Sequence, residues 1–347
     1  LLRLTDDTGL IQHAKYIIPE RRHGYCTDDN ARALIFITKY YKQNPTPEIL
    51  RLFEIYLSFL YHSIKPDKTV HNFMNYDRSW QPDEPLCDAL GRVIWALGTV
   101  IANCPNEDYV PIIKEFFHDT ASHIQSISPR AKSYAILGLA EYMKKFTDDA
   151  HSKHLLKTAA DVLWTIYNKT SSKDWQWFEN SITYANAIMP AAIFDAGRIL
   201  NEKKYLHIAK ESCDFMLRHT FNGSYFSFIG SNGWHTKGQS RAKFDQQPIE
   251  AAYTVIMLAK AYETTKDEKY IDLQKKAFEW FLGRNDLNIS LYDSKTKGCC
   301  DGLCEHGLNI NQGAESLISF LLARLFMNET AAKSLNNQLS PPAQIER

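Results

Sequence analysis

Six times along this 347-residue chain a polar cluster leads straight into helical sequence rich in small residues, and this recurrence restricts the fold more than any other feature. The clusters are Asp28-Asp29-Asn30-Ala31-Arg32, Cys87-Asp88-Ala89-Leu90-Gly91-Arg92, Ser128-Pro129-Arg130-Ala131, Thr183-Tyr184-Ala185-Asn186, Asp245-Gln246-Gln247-Pro248 and Asn311-Gln312-Gly313-Ala314. Aligned on Asp29, Asp88, Arg130, Asn186, Gln247 and Gln312, they lie about 42 to 65 residues apart, the period of a two-helix repeat. Apolar spacing predicts paired helices over 28–41 and 48–61, 86–101 and 110–124, 130–145 and 151–167, 185–200 and 204–219, and 248–264 and 268–282, with a last helix from 313. Short connections such as Asn103-Cys104-Pro105-Asn106 make each pair an antiparallel hairpin. The expected architecture is a closed or solenoid-like array of α-hairpins.

If the first helix of each pair lines an inner ring, all six N-termini point to one end. Their polar side chains, dipoles and free N–H groups then converge on one mouth. Asp, Ser, Thr and Asn are also ordinary N-caps, but Arg32, Arg92, Arg130, Gln246, Gln247 and Gln312 exceed what capping needs. The segments entering the openings are long (15–27, 70–85, 172–184, 221–244 and 285–311), whereas the opposite end has connections of a few residues. Long loops on a compact array are commonly functional. Trp80, Trp175, Trp177 and Trp234 fall in these loops. Alternation over 224–229 predicts a short strand, and 288–292 another. Residues 1–332 form the expected single domain, and the polar stretch 333–347 is expected to fray.

The chain carries 40 Lys+Arg against 40 Asp+Glu, so it has no net charge with which to follow a phosphate backbone, and a nucleic-acid partner is not expected. No run of eighteen apolar residues occurs, so no membrane span is expected. Residues 1–7 lack the apolar core of a signal peptide, and the expected location is the cytoplasm. Cys299, Cys300 and Cys304 with His306 form the one cysteine cluster. Structural metal sites usually bring a second ligand pair from elsewhere, so a loop with reduced thiols is expected there, and no metal or cofactor.

Aromatic faces beside planar hydrogen-bonding groups suit sugars, whose C–H face stacks while their hydroxyls pair with Asp, Asn, Gln and Arg. The strings Thr27-Asp28-Asp29-Asn30-Ala31-Arg32-Ala33-Leu34, Phe244-Asp245-Gln246-Gln247-Pro248-Ile249-Glu250-Ala251, Trp280-Phe281-Leu282-Gly283-Arg284-Asn285-Asp286 and Asn311-Gln312-Gly313-Ala314-Glu315-Ser316 carry a resemblance over residues 5–328. The chain resembles the six-hairpin glycosidase superfamily and the helical domains attached to bacterial retaining glycosyltransferases. The resemblance implies an all-α (α/α)6 toroid with long aromatic-rich loops at one end, and a carbohydrate context. A twelfth helix is not evident after Met327, so either the segment before Thr27 or residues 331–339 close the ring, or it stays open.

Six-hairpin hydrolases commonly use two carboxyl groups as acid and base, with roughly 6.5–9.5 Å between them when the reaction inverts. The catalytic candidates are Asp29, Asp245, Glu179 and Asp88. Asp28 and Asp29 share a helix start, and Asp29 is expected to face the ring with Arg32 one turn below. Asp245 falls at or beside an N-cap ahead of Pro248. Glu179 lies among Trp177, Phe178 and Asn180, company that would raise its pKa as an acid requires. Asp88 stands at i,i+4 from Arg92, where an ion pair is the plain expectation. Glu250 is expected to orient Arg or Gln partners. The expected substrate-binding set is Asp28, Arg32, His13, Tyr76, Trp80, Arg92, Arg130, Trp177, Tyr184, Asn186, Trp234, Gln246, Gln247, Asn311 and Gln312. A metal-independent, inverting hydrolase of an oligo- or polysaccharide leads. Its alternatives are an epimerase or lyase on the same fold, a non-catalytic glycan-binding domain serving a glycosyltransferase partner, and a helical scaffold with an exposed apolar groove.

Overall fold

The structure, a computed structural model, describes residues 1–82 and 88–339, with side chains through residue 336; Cys87 and the end of the polar tail, 340–347, lie outside the described residues. Among the described residues there are eleven α-helices: α1 (Thr27–Tyr41), α2 (Pro47–Ser63), α3 (Ala89–Asn103), α4 (Val110–Ala121), α5 (Pro129–Tyr142), α6 (Ala150–Thr170), α7 (Ile188–Leu200), α8 (Lys203–Thr220), α9 (Pro248–Thr265), α10 (Lys269–Glu279) and α11 (Ala314–Leu339). The odd-numbered helices form the inner ring: each packs on the next, and α11 returns to α1. Helices α2, α4, α6, α8 and α10 back them from outside. The inner helices are buried almost all round; α9 has no exposed residue from Pro248 to Tyr262, as befits a helix covered on every side. The outer helices bury one stripe, Leu52, Phe53, Tyr56, Phe59 and Leu60 in α2.

Small residues let the inner helices close up. A Cβ on Gly98 would lie 2.1 Å from the carbonyl oxygen of Gly138, and one on Gly138 would lie 2.4 Å from that of Ile94, so α3 and α5 meet backbone to backbone. The end with short connections is plugged by charge. Lys39 of α1 bonds Glu141 of α5 at 3.4 Å and Glu329 of α11 at 3.3 Å, and Lys260 of α9 bonds Asp195 of α7 at 2.8 Å. Burial would raise the Glu141 carboxyl, but Lys39, Lys144 and Lys260 pull it well below its ordinary value. The helix N-termini of the ring thus open at one end, and the other end is a packed, paired floor.

The loops at the open end carry short antiparallel pairs: β1 (Ala14–Lys15) with β2 (Ile18–Pro19), β3 (Tyr25–Cys26) with β4 (Phe73–Met74), β5 (Ser181–Ile182) with β6 (His235–Thr236), β7 (Tyr292–Asp293) with β8 (Gly298–Cys299), and β9 (Gly302–Cys304) with β10 (Gly307–Asn309). The strand expected over 224–229 is absent; Phe226 makes only a bridge to Phe221, and the strand expected over 288–292 begins at Tyr292. α11 runs past Lys333 to Leu339. α10 reaches α11 through Phe278, which stacks on Phe320, but among the described residues α11 has no outer helix of its own. The N-terminal turn Leu2–Leu4 lies there instead, beside a groove of about 840 Å³ that also touches Tyr40, Ile49, Leu321 and Arg324.

Candidate active site at the open end of the toroid

The polar openings are not spent on capping. α1, α3, α7 and α9 begin without a side-chain cap bond, and Ser128 alone caps an inner helix where caps are resolved, accepting from Ala131 N at 3.0 Å. The side chains instead cross-link neighbouring helix tops into a belt. Arg32, 2% exposed, donates from Nη2 to Asp29 at 2.6 Å and to Glu315 of α11 at 3.1 Å, with Asp28 3.5 Å from its Nε. Arg92 bonds Asp28 and donates to the Tyr134 hydroxyl at 2.6 Å. The Tyr134 ring packs in turn on Tyr253, one turn below Glu250.

The other half of the belt runs through the loop before α7. Arg130 grips Glu179 with two bonds of 3.0 and 2.7 Å, and reaches the Tyr184 carbonyl at 2.8 Å and Thr183 Oγ1 at 2.9 Å. Its guanidinium lies 4.6 Å over the Tyr184 ring, and the Tyr184 hydroxyl donates to Asp88 at 2.9 Å. Asn186 donates to Glu250 at 2.9 Å, and the Ala185 amide also bonds that carboxylate. Burial pushes Glu250 up to about 7 despite these donors, and it pushes Asp29 up to about 7 despite Arg32.

Several expectations change against this geometry. Asp28, its side chain 18% exposed, is the α1 carboxylate nearer solvent, while Asp29 is tucked in at 8%. Asp88 does not pair with Arg92, because Asp28 takes that cation; Asp88 accepts instead from Ser128 at 2.8 Å and from Tyr184. The N-cap of α9 is Gln247 and not Asp245, which sits half-buried beside Cys304. Glu179 is clamped by Arg130 rather than left among aromatics. Trp177 is fully buried against Phe178 and Phe215, and Trp80 stacks on His71 at 4.8 Å and meets Phe59 edge-on at 5.7 Å, so both belong to packing. Gln246 is buried and ties Phe228 N, Trp280 Nε1 and Asp286 together. Gln312 holds Thr296 at 2.9 Å, and Asn311 accepts from Tyr16 N.

At the rim, Tyr76 is exposed and stacks on Tyr25, Trp234 is half-buried, and His13 is exposed and edge-on to His23 at 4.8 Å. The His13 charge also acts on Asp301, which burial raises and which accepts from Gly313 N at 2.8 Å and Ser316 Oγ at 2.5 Å. Tyr134 and Tyr253 were not among the expected site residues. Tyr134 follows Arg130 by four positions and Tyr253 follows Glu250 by three, so helical spacing alone puts each on the same face as its polar neighbour. Among the described residues no three His, Cys, Asp or Glu side chains form a group that could hold a metal, and no helix is long and apolar enough to cross a membrane.

No protein-family model matches the chain, and no curated protein matches its sequence. Solved structures do. A sugar epimerase from a ruminal bacterium superposes with a TM-score of 0.73 at 12% identity, covering 95% of this chain and 94% of that one. A D-mannose isomerase gives 0.70 at 14% identity over 95% and 94%. The GH76A α-1,6-mannanase from Salegentibacter sp. HEL1_6 gives 0.62 at 10% identity, covering 95% of each chain. Identities this low speak for the fold alone, and the chain has the (α/α)6 toroid fold of those structures.

Proposed function

We propose that this protein is a carbohydrate-active enzyme working at the open end of the toroid, and that it hydrolyses an oligo- or polysaccharide without a metal. The observation that carries this reading is the belt itself: carboxylates and guanidiniums from α1, α3, α5, α9 and α11 are held in fixed register where the helix N-termini meet. Asp28 and Asp29 supply one side of the acid/base pair and Asp245 or Glu179 the other. Asp29 and Glu315 are both held by Arg32 Nη2, at 2.6 and 3.1 Å, and act as its paired acceptors in this reading. Asp88 positions Tyr184, whose exposed ring offers a stacking face. A glycosyltransferase partner fits the resemblance of the opening strings to domains attached to such enzymes.

A specific observation favours a second reading, sugar epimerisation or isomerisation. His13 and His23 meet edge-on at the rim within electrostatic reach of Asp301, and a histidine there can take and return a proton on a sugar carbon. The sugar epimerase and mannose isomerase also superpose better than the mannanase. The test is a panel of oligosaccharides and free sugars analysed by chromatography and mass, with Asp28→Asn, Asp245→Asn, Glu179→Gln and His13→Asn. New reducing ends that vanish in the carboxylate variants support hydrolysis. Products of unchanged mass that vanish in His13→Asn support the second reading. Turnover untouched by all four variants rejects both assignments.

A further inference from the structure

In the bare sequence, Arg32, Arg92 and Arg130 at the helix openings would suit an acidic sugar. The structure spends each of them. Arg32 faces Asp28, Asp29 and Glu315; Arg92 faces Asp28; Arg130 is clamped by Glu179 and filled by Tyr184, Thr183 and Asn186. Asp88, Glu250, Asp301 and Asp245 add further carboxyl groups at the same level, so acids outnumber guanidiniums even with Asp29 and Glu250 holding protons. Several cations of the surrounding loops are engaged too, while Arg21 lies over the rim Tyr76 ring at 5.8 Å. Arg78 bonds Asp7 at 3.1 Å, Lys243 lies 3.5 Å from Asp286, Arg22 pairs with Glu20, and Arg241 donates to Ser227 O at 2.7 Å.

We propose that this mouth selects glycans by charge: it takes uncharged sugars and protonated amino sugars and rejects those bearing carboxylate, sulfate or phosphate groups. The proposal rests on the sugar-processing reading above and deepens it. An anionic substituent would enter a site whose cations are already neutralised and would face uncompensated carboxylates, and like charges brought together in a partly desolvated site repel strongly. A hydroxyl meets no such penalty. Arg32 Nη1 and Arg92 Nε are buried without an acceptor among the described residues and do not reach the surface, so a sugar hydroxyl meets the belt by donating to the Asp28 and Glu315 carboxylates. An ammonium group finds acceptors in Glu315 and in Asp28, the belt carboxylates nearest solvent on the α1 and α11 side.

The test is calorimetric binding of the full chain to matched oligosaccharide sets on gluco and manno backbones, each set comprising a neutral, an amino and a C6-carboxylated member. The proposal expects the carboxylated member to bind at least tenfold more weakly than its neutral counterpart, with the gap shrinking as salt screens the repulsion. It also expects Glu315→Gln, checked for an unchanged Tm, to narrow the gap severalfold. Carboxylated members that bind as well as neutral ones overturn the charge rule and leave the sugar reading standing, as does a gap untouched by Glu315→Gln. No binding by any member on any backbone removes the sugar reading and the charge rule together.

Discussion

Replacing Arg130 separates shape from charge at the loop that feeds the site. Arg130 is 7% exposed, and its guanidinium makes two bonds to Glu179, one to the Tyr184 carbonyl and one to Thr183. In Arg130→Met all of these are lost. Removing one partner of a buried ion pair costs about 3–5 kcal/mol, and because the Glu179 side chain is 27% exposed and regains some water, the expected loss is near the lower end, about 3 kcal/mol. Arg130→Lys keeps the charge but replaces a planar fork by a point donor that can make one or two of those bonds, so about 1–2 kcal/mol is expected. In a chain this long, 3 kcal/mol corresponds to a fall in Tm of about 5 °C. The more local readout is hydrogen exchange. Amides of 172–187 should exchange faster in both variants, more so in Met, while α2 and α10 keep wild-type protection. Equal Tm values for Lys, Met and wild type, or unchanged exchange over 172–187, would refute the role given to Arg130.

The floor of the ring makes a parallel prediction: Lys260→Met leaves the buried Asp195 with only the half-exposed Arg198 and should cost about 3 kcal/mol by thermal or urea unfolding, whereas a change below about 1 kcal/mol would contradict the paired floor. Gly138→Ala should cost at least 1–3 kcal/mol or so, because the new methyl meets the Ile94 backbone, and an unchanged Tm would contradict the close approach of α3 and α5. Burial raises Asp29 to about 7, so between about pH 4 and 7 the folded chain holds a proton that the unfolded chain releases. Its contribution to stability therefore falls as pH rises through that window and stays lost above it. Asp29→Asn should flatten this part of a Tm-against-pH curve, and a curve of unchanged slope would contradict the assignment.

The ring and its polar end were legible in the sequence because both rest on local rules: apolar stripes at helical spacing, small residues where backbones meet, and polar residues at each helix start. The axis-facing seam was legible too, in spacing that went unused. Arg32 and Lys39, Tyr134 and Glu141, and Tyr253 and Lys260 each stand seven apart, two turns along one face, with Lys39, Glu141 and Lys260 meeting at the floor. What did not show was which polar group answers which. Arg92 follows Asp88 by four positions, yet it pairs with Asp28 from the next helix, because ring packing brings α1 and α3 tops closer than side-chain direction brings Arg92 to its own first turn. Trp177 and Trp80 were misplaced for a related reason: a loop as long as 172–184 folds back over the outer helices, and a large aromatic there gains more from burial than from waiting at the rim. The missing outer partner of α11 left no sequence signal of its own beyond the lack of a helix after Met327.

The central claim is that the belt of helix tops, and no other surface, receives the sugar. The most direct measurement is a hydrogen-exchange map of the intact chain with and without the best-bound oligosaccharide of the panel. The account predicts slowed exchange at the start of α1 and in 172–187, 234–247 and 301–316, with the outer wall around Tyr61 and Ile112 unchanged. Protection confined to the groove beside Leu2, Tyr40 and Leu321, with the belt unaffected, would contradict it.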